Sequence, residues 1–419
     1  MGRPFNRLWA ATAASNLSDG ARLAVLPLLA AALTDNPALV AGVAVASQAP
    51  WLLLGLVAGA IVDRHDRRRL LAAAHVVRTL VVVGLLLSTV TGFGGLVAEY
   101  AAALLLGAAE TIFDNAAQVL VPCLVRSEQL EVANSRQAIA VVGGQDLAGP
   151  LVGAALFAVA APAALAVDAA GLALASFLVL SLPRPAGARP SAVVGASPGP
   201  ALGRVSLRAE MLAGARWLWR EPTLRSITIA AGFINVAIVA HAAVLVLYSL
   251  DVLAVGEIGY ALLLASAAVG GFAGAGIAAR LSCRLSLPRL LSTVAGLAAA
   301  AVAVLGLASS PWVAAAAIAM VGAAGTVWSV VTATMRQRMT PDALLGRVIG
   351  VHQLWSWGGA ALGGVLGGAV ATMYGLRAPF QAGALLLAVV ALSLLRVRKP
   401  EPESAAGAAV AVRTPAVVA

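Results

Sequence analysis

The sequence predicts an all-α polytopic membrane protein, with twelve transmembrane helices in two six-helix halves and both termini cytoplasmic. Three observations carry that expectation. First, 61% of the 419 residues are hydrophobic and only 11% are charged, against about 45–50% and about 25% in soluble domains. Second, the apolar residues gather in runs close to the ~20 residues that cross a bilayer. Third, the basic residues fall between alternate runs, as cytoplasmic loops require.

The runs begin near Trp9, Leu39, Leu70, Leu96, Leu130, Ala163, Thr223, Ile258, Leu290, Val313, Leu344 and Leu376. MGRPFNRLW leads directly into the first, so that helix is expected to act as its own insertion signal. Arginines mark the N-terminus (Arg3, Arg7) and the second connection (Arg64 to Arg69). They recur in the fourth (Arg126), sixth (Arg184 to Arg220), eighth (Arg280, Arg284, Arg289) and tenth (Arg336, Arg338, Arg347) connections, and in the tail (Arg396, Arg398, Lys399). The odd connections are nearly free of them, Arg377 excepted. An even number of spans with both ends inside satisfies this pattern.

The proline-, glycine- and alanine-rich stretch 183–204 reads as a flexible linker. After it, LRAEMLAGARWLWRE sets Leu207, Met211 and Leu218 on one helical face and Arg208, Arg216 and Arg220 on another. That pattern predicts a short helix lying on the membrane surface. The expected organisation is an N-terminal half (1–182), a linker with the amphipathic helix (183–222), a C-terminal half (223–396) and a flexible tail (397–419). The halves repeat. Residues 127–154 align with 341–368, pairing Gly149 with Gly363, and GLVAGAIVDR (55–64) aligns with GFAGAGIAAR (271–280).

A net charge of +10 does not indicate nucleic acid, because the arginines sit in short loops facing anionic lipid rather than on one helix face. Cys123 and Cys283 both lie beside basic loops, which indicates neither a disulfide nor a metal site. There is no H-E-x-x-H motif and no pair of ligands at metal spacing. Lys399 is the only lysine, so a phosphate-binding G-x-x-x-x-G-K-[ST] loop is impossible. An enzyme, a cofactor and an ATP-driven pump in one chain are therefore not expected.

The densest charge is GAIVDRHDRRRLL (59–71), where six of the seven residues from Asp63 to Arg69 are charged. The G-x-x-x-D-R of Gly59, Asp63 and Arg64, followed by Arg67 and Arg68, resembles the loop motif between spans two and three of the major facilitator superfamily. Asp66 stands where that family usually has glycine. LPLLAAALTDNP, PWLLLGLVAGAIVDR, AETIFDNAAQVLVP and MRQRMTPDALLGRVIG are similar to its drug, macrolide and siderophore exporters. The resemblance covers most of the chain outside linker and tail, and implies alternating access about a cavity lined by spans one, four, seven and ten. Physically, Gly59 permits close helix approach and Asp63 suits a neighbouring helix N-terminus. The group is expected to latch one of two states, against the plainer reading of a positive-inside anchor.

AGPLVGA (148–154) on the fifth span resembles the exporters' glycine–proline motif. Gly149 and Gly153 are expected to pack tightly across the two halves, with Pro150 bending the helix.

Five acids are expected within spans: Asp19, Glu110, Asp114, Asp146 and Asp168, all in the first half. Such groups are costly in a membrane and face a cavity or a partner. Glu110, Asp114 and Gln118 recur every four residues, forming either a proton-exchanging stripe or a structural polar seam. Asn16, Asp19 and Arg22 recur every three, forming either a cavity wall or a self-neutralising packing pair. Proton-coupling candidates are thus Glu110, Asp114, Asp19 and Asp146. Cavity candidates are Asn16, Arg22, Gln118, Asn235, His241 and Trp328, with packing roles as the alternative for the histidine and tryptophan. Trp355 and Trp357 could extend an aromatic wall.

The leading expectation is a monomeric, proton-coupled exporter of a hydrophobic or amphipathic small molecule in a bacterial cytoplasmic membrane. The alternatives are an importer or facilitator of the same fold, or a non-transporting receptor or scaffold.

Overall fold

The structure, a computed structural model, describes residues 2–64, 67–120, 136–137, 139–181 and 207–396. Within them it describes no side chains for 3–4, 53–64, 67–68, 114–120, 207–213, 342–343 and 346. The helices are α1 (Arg3–Leu33), α2 (Pro37–Arg64), α3 (Arg67–Thr91), α4 (Gly95–Leu120), α5 (Gly149–Val159) and α6 (Ala161–Leu180). They continue as α7 (Leu207–Arg220), α8 (Pro222–Ala242), α9 (Gly256–Arg284), α10 (Leu287–Leu307), α11 (Pro311–Met339), α12 (Asp342–Tyr374) and α13 (Ala378–Leu394). A π-helical stretch, Val141–Ala148, leads into α5, and a short α–π stretch, Leu245–Val252, follows α8. Among the described residues there is no strand, and ten helices are long and apolar enough to cross a membrane. Two shorter apolar ones are Pro37–Leu52 and Ala378–Leu394.

The starts follow from sequence. Proline stands in the first turn of α1, α5, α6, α8, α10, α11 and α13, where its missing N–H costs nothing. Between α3 and α4 the chain reverses within TGFGG, because Gly92, Gly94 and Gly95 take φ of +70°, +94° and +48°.

α1 packs on α5 and α6, α4 on α2 and α3, and α3 on α6. In the second group α8 packs on α12 and α13, α10 on α11 and α13, and α9 on α11. The two groups meet where α2 lies on α12 and α5 on α9. Large apolar side chains such as Phe93, Phe177, Leu385 and Leu392 point outward, so helix association rests on small residues and polar contacts.

Those small residues correct one expectation. Gly149 and Gly153 face α1, not the other group: a Cβ on them would lie 2.6 Å from the Gly20 Cα and 2.8 Å from the Ala21 Cα. The same contact is built again where Gly363 and Gly367 of α12 meet α8, at 2.9 Å from the Val236 Cα and 2.6 Å from the Ala240 Cα. Gly149 and Gly363 are the pair the sequence repeat aligns. The glycines thus hold α5 to α1, and α12 to α8, at backbone distance.

Pro150 also acts differently from expectation. It stands in the first turn of α5, and the irregularity lies in the wider π-helical turns before it, where the Gly149 N–H reaches the Gly144 carbonyl. α7 forms where the amphipathic pattern places it. Leu218 is buried and Arg216 and Arg220 are exposed, while Gly214 lies against the Arg347 backbone of α12.

Candidate functional site

The stretch SNLSDGAR of α1 places Ser15, Ser18, Asp19 and Arg22 three or four residues apart, on one helical face. Asp19 is the hub. Its Oδ1 pairs with both Arg22 and Arg78 of α3, and its Oδ2 accepts from the Ser15 Oγ at 3.2 Å. Arg22 Nη1 reaches across to α6, donating to Asp168 Oδ1 at 2.8 Å and Oδ2 at 3.2 Å. Arg78 Nη1 donates to Ser15 Oγ at 3.2 Å, and Ser18 Oγ donates to the Asp168 backbone carbonyl at 3.4 Å.

Two arginines and two aspartates therefore form a formally neutral lattice between α1, α3 and α6. None of the four is more than 6% exposed. Buried charges persist only when paired and hydrogen-bonded, and this set is both.

The lattice corrects the reading of Asn16, Asp19 and Arg22 as an open cavity wall. Asp19 and Arg22 turn toward α3 and α6, and Asn16 is buried against the π-helical stretch before α5, where a Cβ on Gly144 would lie 3.2 Å from its own. The pairing of Asp19 with Arg22 is as expected, but it extends to Asp168 and to Arg78. The sequence reading passes over Arg78, although an arginine inside LLAAAHVVRTLVVV signals a buried partner. His75, one turn earlier, is fully buried with its ring 4.6 Å from that of Phe113.

The other candidates scatter. Glu110 is half-buried on α4, and the side chains of Asp114 and Gln118 lie outside the described residues. Asp146 is exposed on the π-helical stretch. Asn235 donates to the Ala231 carbonyl of its own helix at 2.8 Å. His241 meets the Ala237 carbonyl at 2.9 Å and packs its ring 5.4 Å from Phe380, a packing role. Trp328 is half-buried on α11. Trp357 of α12 stacks on Trp51 of α2 at 5.2 Å, joining the two helix groups. Trp355 lies against Gly232 with its Nε1 3.4 Å from the Ile229 carbonyl. Glu99, not one of the five acids expected within spans, is fully buried in α4.

For the latch, α2 ends at Arg64 and α3 begins at Arg67. The surroundings of Gly59 and the side chains of Asp63, Arg64, Arg67 and Arg68 lie outside the described residues. Among the described residues no three histidines, cysteines or acids gather as a metal site would need.

A bundle of long apolar helices packed through glycine and tied inside by a neutral charge lattice is the architecture of a multi-span membrane protein. Solved structures share the fold. One is a bacterial homologue of the iron transporter ferroportin in an inward-facing state (TM-score 0.74, 16% identity, covering 94% of this chain and 99% of that one). Another is the nucleoside transporter NupG (TM-score 0.76, 13% identity, 96% and 100%). The sequence pattern described as "transmembrane secretion effector" matches residues 2–418, and the chain belongs to that family. Among curated proteins it is similar to the enterobactin exporter EntS of Shigella boydii serotype 4, at 28% identity over 95% of this chain and 94% of the relative. The same exporter of Escherichia coli O1:K1 is 28% identical over 83% and 82%. The protein is a transporter of the cytoplasmic membrane.

Proposed function

We propose that the protein is a proton-coupled exporter that moves a hydrophobic or amphipathic small molecule outward by alternating access. Twelve spans form two six-helix halves (1–182 and 223–396) joined by the cytoplasmic linker 183–222, with both termini inside and the monomer as the working unit. Export is supported by the family's description and by relatives named as exporters.

The observation that carries the coupling is the balanced lattice of Asp19, Arg22, Arg78 and Asp168. Protonating either aspartate would leave a buried arginine without its counter-charge, at a cost of several kcal/mol. Loading a proton there must therefore be matched by a shift of α1 against α3 and α6. In this account Glu110 and Asp146 exchange the proton, because both are reachable while the lattice is sealed. Gly149 and Gly153 carry the shift of α1 to α5, which touches α9 of the other half. Moving one charge through the membrane potential supplies about 2.3 kcal/mol per 100 mV, roughly a 50-fold accumulation.

Direction is tested in everted vesicles with an acidic lumen, using a pH-sensitive dye and a panel of lipophilic cations, macrolides and siderophore-like compounds. Compound-dependent proton release is expected. A compound that leaves the lumen with no pH change would support the facilitator instead.

A further inference from the structure

The second helix group holds a buried polar cluster that the account above does not use. Arg336, one turn before the end of α11, turns inward and donates through Nη1 to the Nε2 of His352 on α12, at 2.9 Å. A guanidinium only donates, so Nε2 is the accepting nitrogen. The imidazole then carries its proton on Nδ1 and donates to the Thr228 hydroxyl of α8 at 3.2 Å. Thr228 is 1% exposed and His352 8%, while Arg336 is half-open. The sequence assigns Arg336 to a basic loop anchor, yet an anchor would reach for the membrane surface.

Arg22 and Arg78 each face an aspartate. Arg336 faces a neutral imidazole, and among the described residues no carboxylate lies within 4 Å of it. Glu257 stands in the first turn of α9, at the opposite end of the bundle. The side chain of Asp342, six residues after Arg336, lies outside the described residues. The contrast has a physical consequence. A carboxylate in place of His352 would hold the guanidinium equally well but cancel its charge, whereas the imidazole aims it and leaves the charge uncompensated.

We propose that Arg336, positioned by His352 and Thr228, is the docking point for an anionic group of the transported molecule, such as a carboxylate, sulfonate or phenolate on an apolar body. This rests on the transporter reading and on neither the direction nor the proton coupling, so binding at equilibrium tests it separately from export.

The test uses the full chain in phosphatidylcholine nanodiscs with two fluorescent probes of one aryl scaffold. These are the anionic 8-anilinonaphthalene-1-sulfonate and the neutral N-phenyl-1-naphthylamine, each read above empty discs. The anion should bind about tenfold or more weakly to Arg336→Gln with the neutral probe unchanged. His352→Asp, which keeps a hydrogen-bond acceptor for Arg336 but adds the counter-charge, should lose the anion equally, and His352→Gln should retain it within about threefold. No anion binding above empty discs, or unchanged anion binding in Arg336→Gln or His352→Asp, overturns the proposal. Repeating the series with phosphatidylglycerol separates a substrate from a lipid headgroup. If the Arg336-dependent binding vanishes there, the site belongs to lipid and the substrate reading falls.

Discussion

Arg78 has no aqueous alternative: it is fully buried, and its charge is answered by Asp19. Arg78→Gln should therefore destabilise the protein by about 3–5 kcal/mol, because Asp19 is left with half of its compensation. Adding Asp19→Asn should recover more than half of that loss, since Arg22 and Asp168 remain a neutral pair. Unfolding of the four proteins of this cycle in detergent measures it, and simply additive losses would contradict the lattice. Of these residues, Asp19 and Arg22 were legible in the sequence because three residues on one helix are neighbours in space. Asp168 was legible as an acid in an apolar run. Its partner was not, because Arg22 and Asp168 lie 146 positions apart, and no local periodicity encodes that distance. His352 is the same case, its partners Thr228 and Arg336 standing on two other helices.

At the scale of elements, the apolar runs announced the helices well, and the structure starts them within several residues of the expected positions, α1 at Arg3 and α8 at Pro222 among them; the expected start of the fifth, Leu130, lies outside the described residues. The repeat was legible too, and Gly149 and Gly363 occupy matching contacts. What the repeat could not show is which neighbour each glycine touches, and a π-helical register leaves no hydrophobic period to read. The contact of α2 with α12 yields a direct prediction. Gly368 approaches Ala38 so closely that its Cβ would lie 2.8 Å from the Ala38 Cα, Thr372 donates to Asn36 at 3.4 Å, and Trp51 stacks on Trp357 further along. With Cys123 and Cys283 replaced by serine, Ala38→Cys with Gly368→Cys should form a disulfide on oxidation. Transport should stop and return on reduction. A complete cross-link with undiminished transport would mean that these helices never part, contrary to alternating access.

The whole molecule is electrically lopsided. Its first helix group holds a self-balanced lattice together with Glu110 and Asp146, while its second presents Arg336 on a neutral histidine. In the account proposed above, proton handling lies in one half and recognition of an anionic group in the other, with α2 against α12 and α5 against α9 as the surfaces between them. Composition and loop charge foretold a polytopic membrane protein and the motif resemblance a transporter, but neither foretold this division, which depends on pairings between distant helices. The measurement that tests it most directly uses purified protein in proteoliposomes with a trapped pH dye, recording one transported compound and the proton together. The account predicts opposite movements of compound and proton, with proton movement abolished in Glu110→Gln with Asp146→Asn while compound binding persists. Compound transport with no proton movement, or proton movement undiminished in that double variant, would contradict it.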